Sequence, residues 1–145
     1  MAVRENNNAG NLVLIADDNA DIQAVLGILL RGAGFQTVTA YDGEEAVNIA
    51  AQTQPDLVLM DLVLPRLDGL AAARRIRKLA GLEHVPIVGC SAYEPEEETL
   101  VWEEGMTPTG TPLNAFLHKP TDFSTLLMVM HHLLKQLPQA PVTSH

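Results

Sequence analysis

Short apolar runs alternate with amphipathic stretches along this chain. Leu12 to Ala16 is apolar at every position and too short for a helix, the pattern of a strand buried on both faces. Ile22, Val25, Leu26, Leu29 and Leu30 then recur at helical spacing, and Gly34 supplies the stop. Gln36 to Ala40, rich in β-branched residues, predicts a second strand. "DGEEAVNIAAQ" predicts a second helix with acidic residues in its first turn, where the helix dipole favours them. "PDLVLMD" repeats the design of the first strand and ends on Asp61. "GLAAARRIRKLAG" predicts a third helix, with Arg74, Arg75, Arg77 and Lys78 on a solvated face. "PIVGCSA" reads as a fourth strand, "EPEEETLVWEE" as an acidic fourth helix and "NAFLHKP" as a short fifth strand. Leu126, Leu127, Met130, Leu133, Leu134 and Leu137 mark a fifth helix starting near Phe123. Strictly alternating strands and helices imply right-handed crossovers and a parallel sheet covered on both sides. The expected architecture is a doubly wound, five-stranded α/β domain with five helices.

Composition narrows what such a domain does. A chain of 145 residues has room for one domain, and 47% hydrophobic content suffices for its core. Residues 11–137 are expected to form that domain, 1–10 ("MAVRENNNAG") a disordered leader and 138–145 a flexible tail. Nine basic residues against eighteen acidic ones give a formal net charge of −9. That balance argues against nucleic acid and against an anionic membrane surface as partners, since both reward basic patches. The single cysteine, Cys90, excludes an internal disulfide and fits a reducing compartment, and no targeting or spanning segment is visible. The expected location is cytoplasmic.

In a doubly wound sheet, ligands bind beyond the C-terminal ends of the strands. Asp17 and Asp18 follow the first strand, Asp61 ends the third, Ser91 the fourth, and Lys119 follows the fifth. Adjacent like charges are costly unless a cation sits between them. Three carboxylates on one rim suit Mg2+, a hard ion held by one or two carboxylates plus waters and phosphate. A carboxylate beside such an ion can act as a nucleophile on a phosphoryl group, with Lys119 and the Ser91 hydroxyl neutralising the other phosphoryl oxygens. Taken singly, each residue also has an ordinary structural use, as a helix cap, a turn former or a loop lysine. Their coincidence at successive strand ends carries the chemistry. Asp68, before "GLAAA", reads as a helix cap rather than a further ligand, and Cys90 as a small buried hydrophobe. His131 and His132 are neighbours on one helix, point to different faces and form no paired site.

The motifs "ADDN", "LVLMDLVLPRLDG", "GCSA" and "FLHKP", in this order from Leu12 to Leu137, resemble the receiver domain of two-component response regulators. The resemblance implies a flavodoxin-like fold with strand order 2-1-3-4-5. It implies Mg2+, with Mn2+ as the alternative ion, bound by Asp17, Asp18, Asp61 and the backbone carbonyl of Val63. It makes Asp61 the phosphoacceptor, Lys119 the essential lysine, Ser91 and Phe116 the switch pair, and Lys119-Pro120 a cis peptide. The activity implied is self-catalysed phosphorylation and dephosphorylation rather than an ordinary enzymatic turnover. Its donor would be a histidine kinase or histidine phosphotransfer protein, and its output a changed docking surface for an unidentified downstream protein. In that scheme Ser91 swings toward the phosphoryl group, and the space it vacates admits the Phe116 ring. Val63 offers no hydrogen bond to an attacking water, so a slowly decaying phosphoform is expected, with Tyr93 as a further shield or, alternatively, as the group that orients the water.

Two features depart from the family pattern. Residues 106–115, "MTPTGTPLNA", are longer and richer in Pro, Gly and Thr than the usual link into the fifth strand, and read as an inserted excursion. Thr121 replaces the usual aromatic after Lys-Pro, leaving Thr121 or Asp122 to cap the last helix. Trp102, in the acidic stretch, is either an interface anchor or packing. Two other functions compete: a constitutive interaction module on the same fold, and a phosphohydrolase or nucleotide-binding enzyme. A nucleotide binder would want a glycine-rich turn after the first strand, and "ADDNAD" has none.

Overall fold

The computed structural model of the chain describes residues 10–92 and 111–136. Along them run β1 (Leu12–Ala16), α1 (Ala20–Gly32), β2 (Gln36–Ala40), α2 (Gly43–Thr53), β3 (Leu57–Asp61), α3 (Gly69–Arg77), β4 (Ile87–Ser91), β5 (Ala115–His118) and α4 (Phe123–Gln136). All strand pairs are parallel and the order is β2-β1-β3-β4-β5. The doubly wound α/β expectation holds, and β1 and β2 occupy the ranges read from their apolar patterns. Four helices lie among the described residues; the expected acidic helix over 94–104 lies outside them, as do Tyr93, Trp102 and the two terminal stretches 1–9 and 137–145.

The strands are apolar on both sides because the sheet separates two cores. Leu14, Val58, Met60, Ile87 and Phe116 point to one side and pack with α2 and α3 residues such as Ala46, Ala50, Ala73 and Ile76. Val13, Ile15, Leu57, Leu59, Val88 and Leu117 point to the other and pack with Leu30, Leu126 and Met130 of α1 and α4. Alternate residues along one strand thus serve opposite layers.

Every described helix begins at an Asn or Asp that satisfies its first amide groups. Asn19 accepts from Asp21 and Ile22, Asp42 from Glu45, Asp68 from Ala71 and Asp122 from Thr125. Such caps are each worth about 1 kcal/mol. They lie two to four residues beyond a strand end for α1, α2 and α4 and seven residues beyond for α3, which holds these turns close to the sheet rim. Between the two expected caps of the last helix, Asp122 takes the role, and the Thr121 hydroxyl donates instead to the His118 carbonyl.

Two expectations about α3 need correction. Its apolar pattern continues to Leu79, yet the helix ends at Arg77. Lys78 and Leu79 donate to Arg75 and Ile76, three residues back, tightening the last turn, and Gly81 reverses the chain at φ +88. This turn delivers Leu82 and Val85 to the core. Arg77 is also not on a solvated face. Its guanidinium is half-buried and donates to the carbonyls of Val85 (2.6 Å), Glu83 (3.2 Å) and Pro112 (2.8 and 3.1 Å) and to Asn114 Oδ1 (2.5 Å). Asn114 in turn exchanges 2.8 Å hydrogen bonds with Ile87 through its side chain and its backbone. Residues 111–114, the described end of the expected excursion, are therefore built into the fold, with Pro112 and Leu113 buried.

Candidate functional site

The parallel register brings the C-terminal ends of four strands to one rim. Ala16 faces Ala40 on one side and Met60 on the other, Asp61 faces Cys90, and Ser91 faces His118. Each polar residue found at a strand end therefore projects from the same edge.

Three carboxylates meet there. Asp17, Asp18 and Asp61 each present an oxygen within 4.8 Å of the others. Asp17 is buried and Asp18 exposed, so the pair is anchored at one carboxylate and open to solvent at the other. Lys119 spans buried Asp17 and partly buried Asp61: its Nζ lies 2.8 Å from Asp17 Oδ2 and 3.1 Å from Asp61 Oδ2. The remaining oxygens are held by backbone amides, Asp17 Oδ1 by Asn19 and Asp61 Oδ1 by Val63, both at 2.9 Å. Lys119 is aimed by its neighbours too. Its N–H donates to the Ser91 carbonyl at 2.9 Å, and the Lys119-Pro120 peptide is cis.

Burial pushes the Asp61 carboxyl above the ordinary value of 3.8; the Val63 amide and the Lys119 ammonium oppose that push, and the Asp17 charge adds to it. Burial alone would lower the Lys119 ammonium, but the hydrogen bonds and charges of Asp17 and Asp61 outweigh it and raise its pKa. The Lys119 direction follows from one cation facing two anions, and the Asp61 direction from burial that this cation only partly offsets. The Cys90 thiol, by contrast, is pushed up to about 12 by burial, which leaves it unreactive.

The carboxylates satisfy a simple test for a hard divalent ion. Octahedral Mg2+ places its ligand oxygens about 3–4 Å apart, and the three carboxylate oxygens lie within 4.8 Å of one another with one carboxylate facing solvent. An all-oxygen donor set of net charge −3, offset by a single ammonium, leaves charge for such an ion to neutralise.

Ser91 is buried at the end of β4, and Phe116 lies in the middle of β5 with its ring edge-on to His118 at 4.9 Å. The Phe116 ring is fully buried, in the α2–α3 core. Val63 exposes its side chain at the mouth of the site.

Sequence reasoning missed Gln23. Its side chain is buried behind the acidic turn, and its Nε2 donates to the carbonyls of Ile15, Asp17 and Ala40. A glutamine one position off the apolar stripe of a helix reads as solvent-facing; only the three carbonyls converging on it give it away. Also unforeseen is a groove of about 650 Å3 that opens beside Lys119 between α1 and α4, lined by Ile22, Val25, Leu29, Pro120, Phe123 and Leu126 among others.

A doubly wound sheet with an acidic cluster, a bridging lysine and a buried hydroxyl at its C-terminal rim defines a phosphoryl-handling α/β domain. The sequence profile of the response regulator receiver domain matches residues 13–131, and the chain belongs to that family. It is 34% identical over 135 residues, 92% of this chain, to a probable transcriptional regulator, ycf27, of Guillardia theta, and covers 49% of that protein. It is 36% identical over 117 residues to the CAI-1 autoinducer sensor kinase/phosphatase CqsS of Vibrio cholerae, with 79% of this chain and 16% of CqsS covered. The chain thus spans about half or less of the length of these relatives. Among solved structures it resembles the receiver domain of the sensor histidine kinase PA1611 from Pseudomonas aeruginosa, crystallised with a magnesium ion coordinated in its active-site cleft. The TM-score is 0.75 at 29% identity, covering 88% of this chain and all of that one. The chemotaxis protein CheY4 of Vibrio cholerae aligns with a TM-score of 0.74 at 26% identity, over 86% of this chain and 99% of CheY4. Among the described residues no helix is long and apolar enough to cross a membrane.

Proposed function

We propose that this receiver domain is a Mg2+-dependent phosphoacceptor whose acceptor is Asp61. The observation that carries the reading is the convergence of Asp17, Asp18 and Asp61 with Lys119 bridged between two of them. An Asp61 oxygen attacks the phosphorus of a donor phosphohistidine, the P–N bond breaks, and its electron pair leaves with the imidazole. The Asp61 carboxylate is held ready by the Val63 amide and Lys119. The Lys119 ammonium, already within reach of Asp61, pairs with a phosphoryl oxygen, and the Ser91 hydroxyl donates to another. Asp17, Asp18, Asp61 and the Val63 carbonyl would hold Mg2+ (or Mn2+), which supplies charge neutralisation at the phosphoryl group.

The donor is a histidine kinase or histidine phosphotransfer protein. Exposed Val25 and Leu29 of α1, on the wall of the groove beside Lys119, give such a protein an apolar foothold next to the acceptor. The downstream partner is a protein rather than nucleic acid, in keeping with the net charge of −9. DNA-binding relatives exist, such as the response regulator MtrA of Mycobacterium tuberculosis, 41% identical over 80 residues, but those cover 34% of MtrA. A location in the cytoplasm, where such kinases present their phosphohistidine, goes with this reading.

The test is to incubate the chain with Mg2+ and a small acyl phosphate and to weigh it. One added phosphoryl group that is absent in Asp61→Asn is expected. Turnover of the donor with no adduct would point to a hydrolase, and an inert protein to a constitutive interaction module. Once formed, the adduct should persist for minutes or longer, since exposed Val63 offers no side-chain hydrogen bond to an attacking water.

A further inference from the structure

Gln23 lies in α1 and is only 3% exposed. Its Nε2 is 2.8 Å from the Ile15 carbonyl, 3.0 Å from that of Asp17 and 2.8 Å from that of Ala40. Two N–H bonds serve three acceptors, so at least one hydrogen is shared. The amide cannot be turned round, because its oxygen would then face three carbonyls. Its Oε1 is buried with no donor among the described residues. Leaving that oxygen unsatisfied is costly, and an apolar residue of the same length would suit a buried helix face better. The three acceptors are informative. Ile15 and Ala40 belong to β1 and β2, and Asp17 begins the acidic turn; the Ala40 carbonyl also accepts the Asp17 N–H at 3.0 Å. One buried amide therefore ties the peptide that carries Asp17 and Asp18 to the ends of two strands.

We infer that Gln23 is a positioning residue for the acidic pair: it sets the backbone on which Asp17 and Asp18 meet a divalent cation, without itself touching the ion. The inference rests on the metal reading proposed above and goes beyond it by assigning the geometry of the ligand turn to a residue outside the ligand set. Residues that orient metal ligands in this way typically change affinity about tenfold or more when replaced. A purely structural glutamine would change stability alone.

The full chain and its Gln23→Met variant, which keeps the side-chain length and loses the donor, are titrated with MgCl2 by calorimetry. The variant, folded by circular dichroism, is expected to bind Mg2+ about tenfold more weakly. Its phosphorylation rate from a small acyl phosphate should approach the parent's once Mg2+ is saturating. Mg2+ binding within about twofold of the parent, whatever the loss of stability, overturns the inference. Should Gln23→Met not fold, the parent decides by NMR. Gln23 side-chain amide protons that are protected from exchange and shift on adding Mg2+ support the assignment. Protons that exchange as fast as those of exposed Gln36, or ignore Mg2+, refute it. A parent that binds no Mg2+ at all fells the metal reading itself, an outcome distinct from a parent and variant that bind equally well.

Discussion

Replacing Arg77 by methionine tests whether the second half of the sheet is held by one guanidinium. Arg77 reaches Val85 O, Pro112 O and Asn114 Oδ1 at 2.5–2.8 Å, with longer contacts to Glu83 O and a second to Pro112 O. Val85 and Pro112 are buried, so their carbonyls lose a donor that water does not readily replace. A hydrogen bond to a charged group contributes about 1.5–3 kcal/mol. Three short ones shared by a half-buried group, less the desolvation regained on removing the charge, give a net loss of about 3 kcal/mol. That is a sizeable part of a typical total of about 5–15 kcal/mol. The midpoint of urea unfolding, followed by circular dichroism, should fall markedly at unchanged slope. Arg77→Lys should recover only part of it, because an ammonium cannot span the same acceptors. Arg75→Met is the control on the same helix. Its 3.3 Å pair with Glu44 is about half exposed at both ends and should cost under about 0.5 kcal/mol. A loss below about 0.5 kcal/mol in Arg77→Met, or equal losses at Arg75 and Arg77, would refute the clamp.

Four further outcomes can be checked. A Cβ on Gly69 would lie 2.3 Å from the Asp61 carbonyl oxygen and 2.6 Å from Leu62 Cα, so Gly69→Ala must shift the acceptor's own backbone. It should cost about 2–3 kcal/mol in thermal or urea unfolding and slow phosphorylation, and a variant with parental values of both removes the steric premise. Asp61 has its pKa raised by burial, so the stability it contributes is full below 3.8 and lost as pH rises through its folded-state value. In metal-free buffer Asp61→Asn should therefore melt higher than the parent at neutral pH, with the gap closing in acid; a lower melting temperature at pH 7 contradicts the sign. Adding Mg2+ should raise the parent's melting temperature and leave Asp61→Asn much less changed. Val25→Glu on the groove wall should slow transfer from a phosphohistidine protein about tenfold while sparing the rate with a small acyl phosphate, and equal slowing of both would locate the donor elsewhere.

The strands were legible because a parallel sheet buried on both sides demands uninterrupted apolar runs, and Leu12–Ala16 and Leu57–Asp61 carry that demand openly. The rim was legible because the chain direction alone puts Asp17, Asp18, Asp61 and Lys119 on one edge once the strands are parallel. Arg77 and Gln23 were not. Both occupy helix positions where polarity normally means solvent, yet Gln23 is buried and Arg77 half-buried, because the turns flanking the strands bring backbone carbonyls to them. Those carbonyls come from residues remote in sequence, such as Pro112 for Arg77 and Ala40 for Gln23, so no local periodicity reveals them. The end of α3 was misread for a related reason: Leu79 keeps the apolar rhythm while its amide has already switched to the tighter turn that Gly81 completes.

The same guanidinium has a bearing on how this domain can diverge. By gripping Pro112 and Asn114 from α3, it fixes the starting point of β5 before the strand begins, two to four residues ahead of the Phe116 position and well ahead of Lys119. Stretches of differing length or composition spliced in upstream of Thr111 would then be mechanically insulated from the lysine. Diversity could accumulate in that segment, by evolution or by engineering, while the reactive rim stays in register.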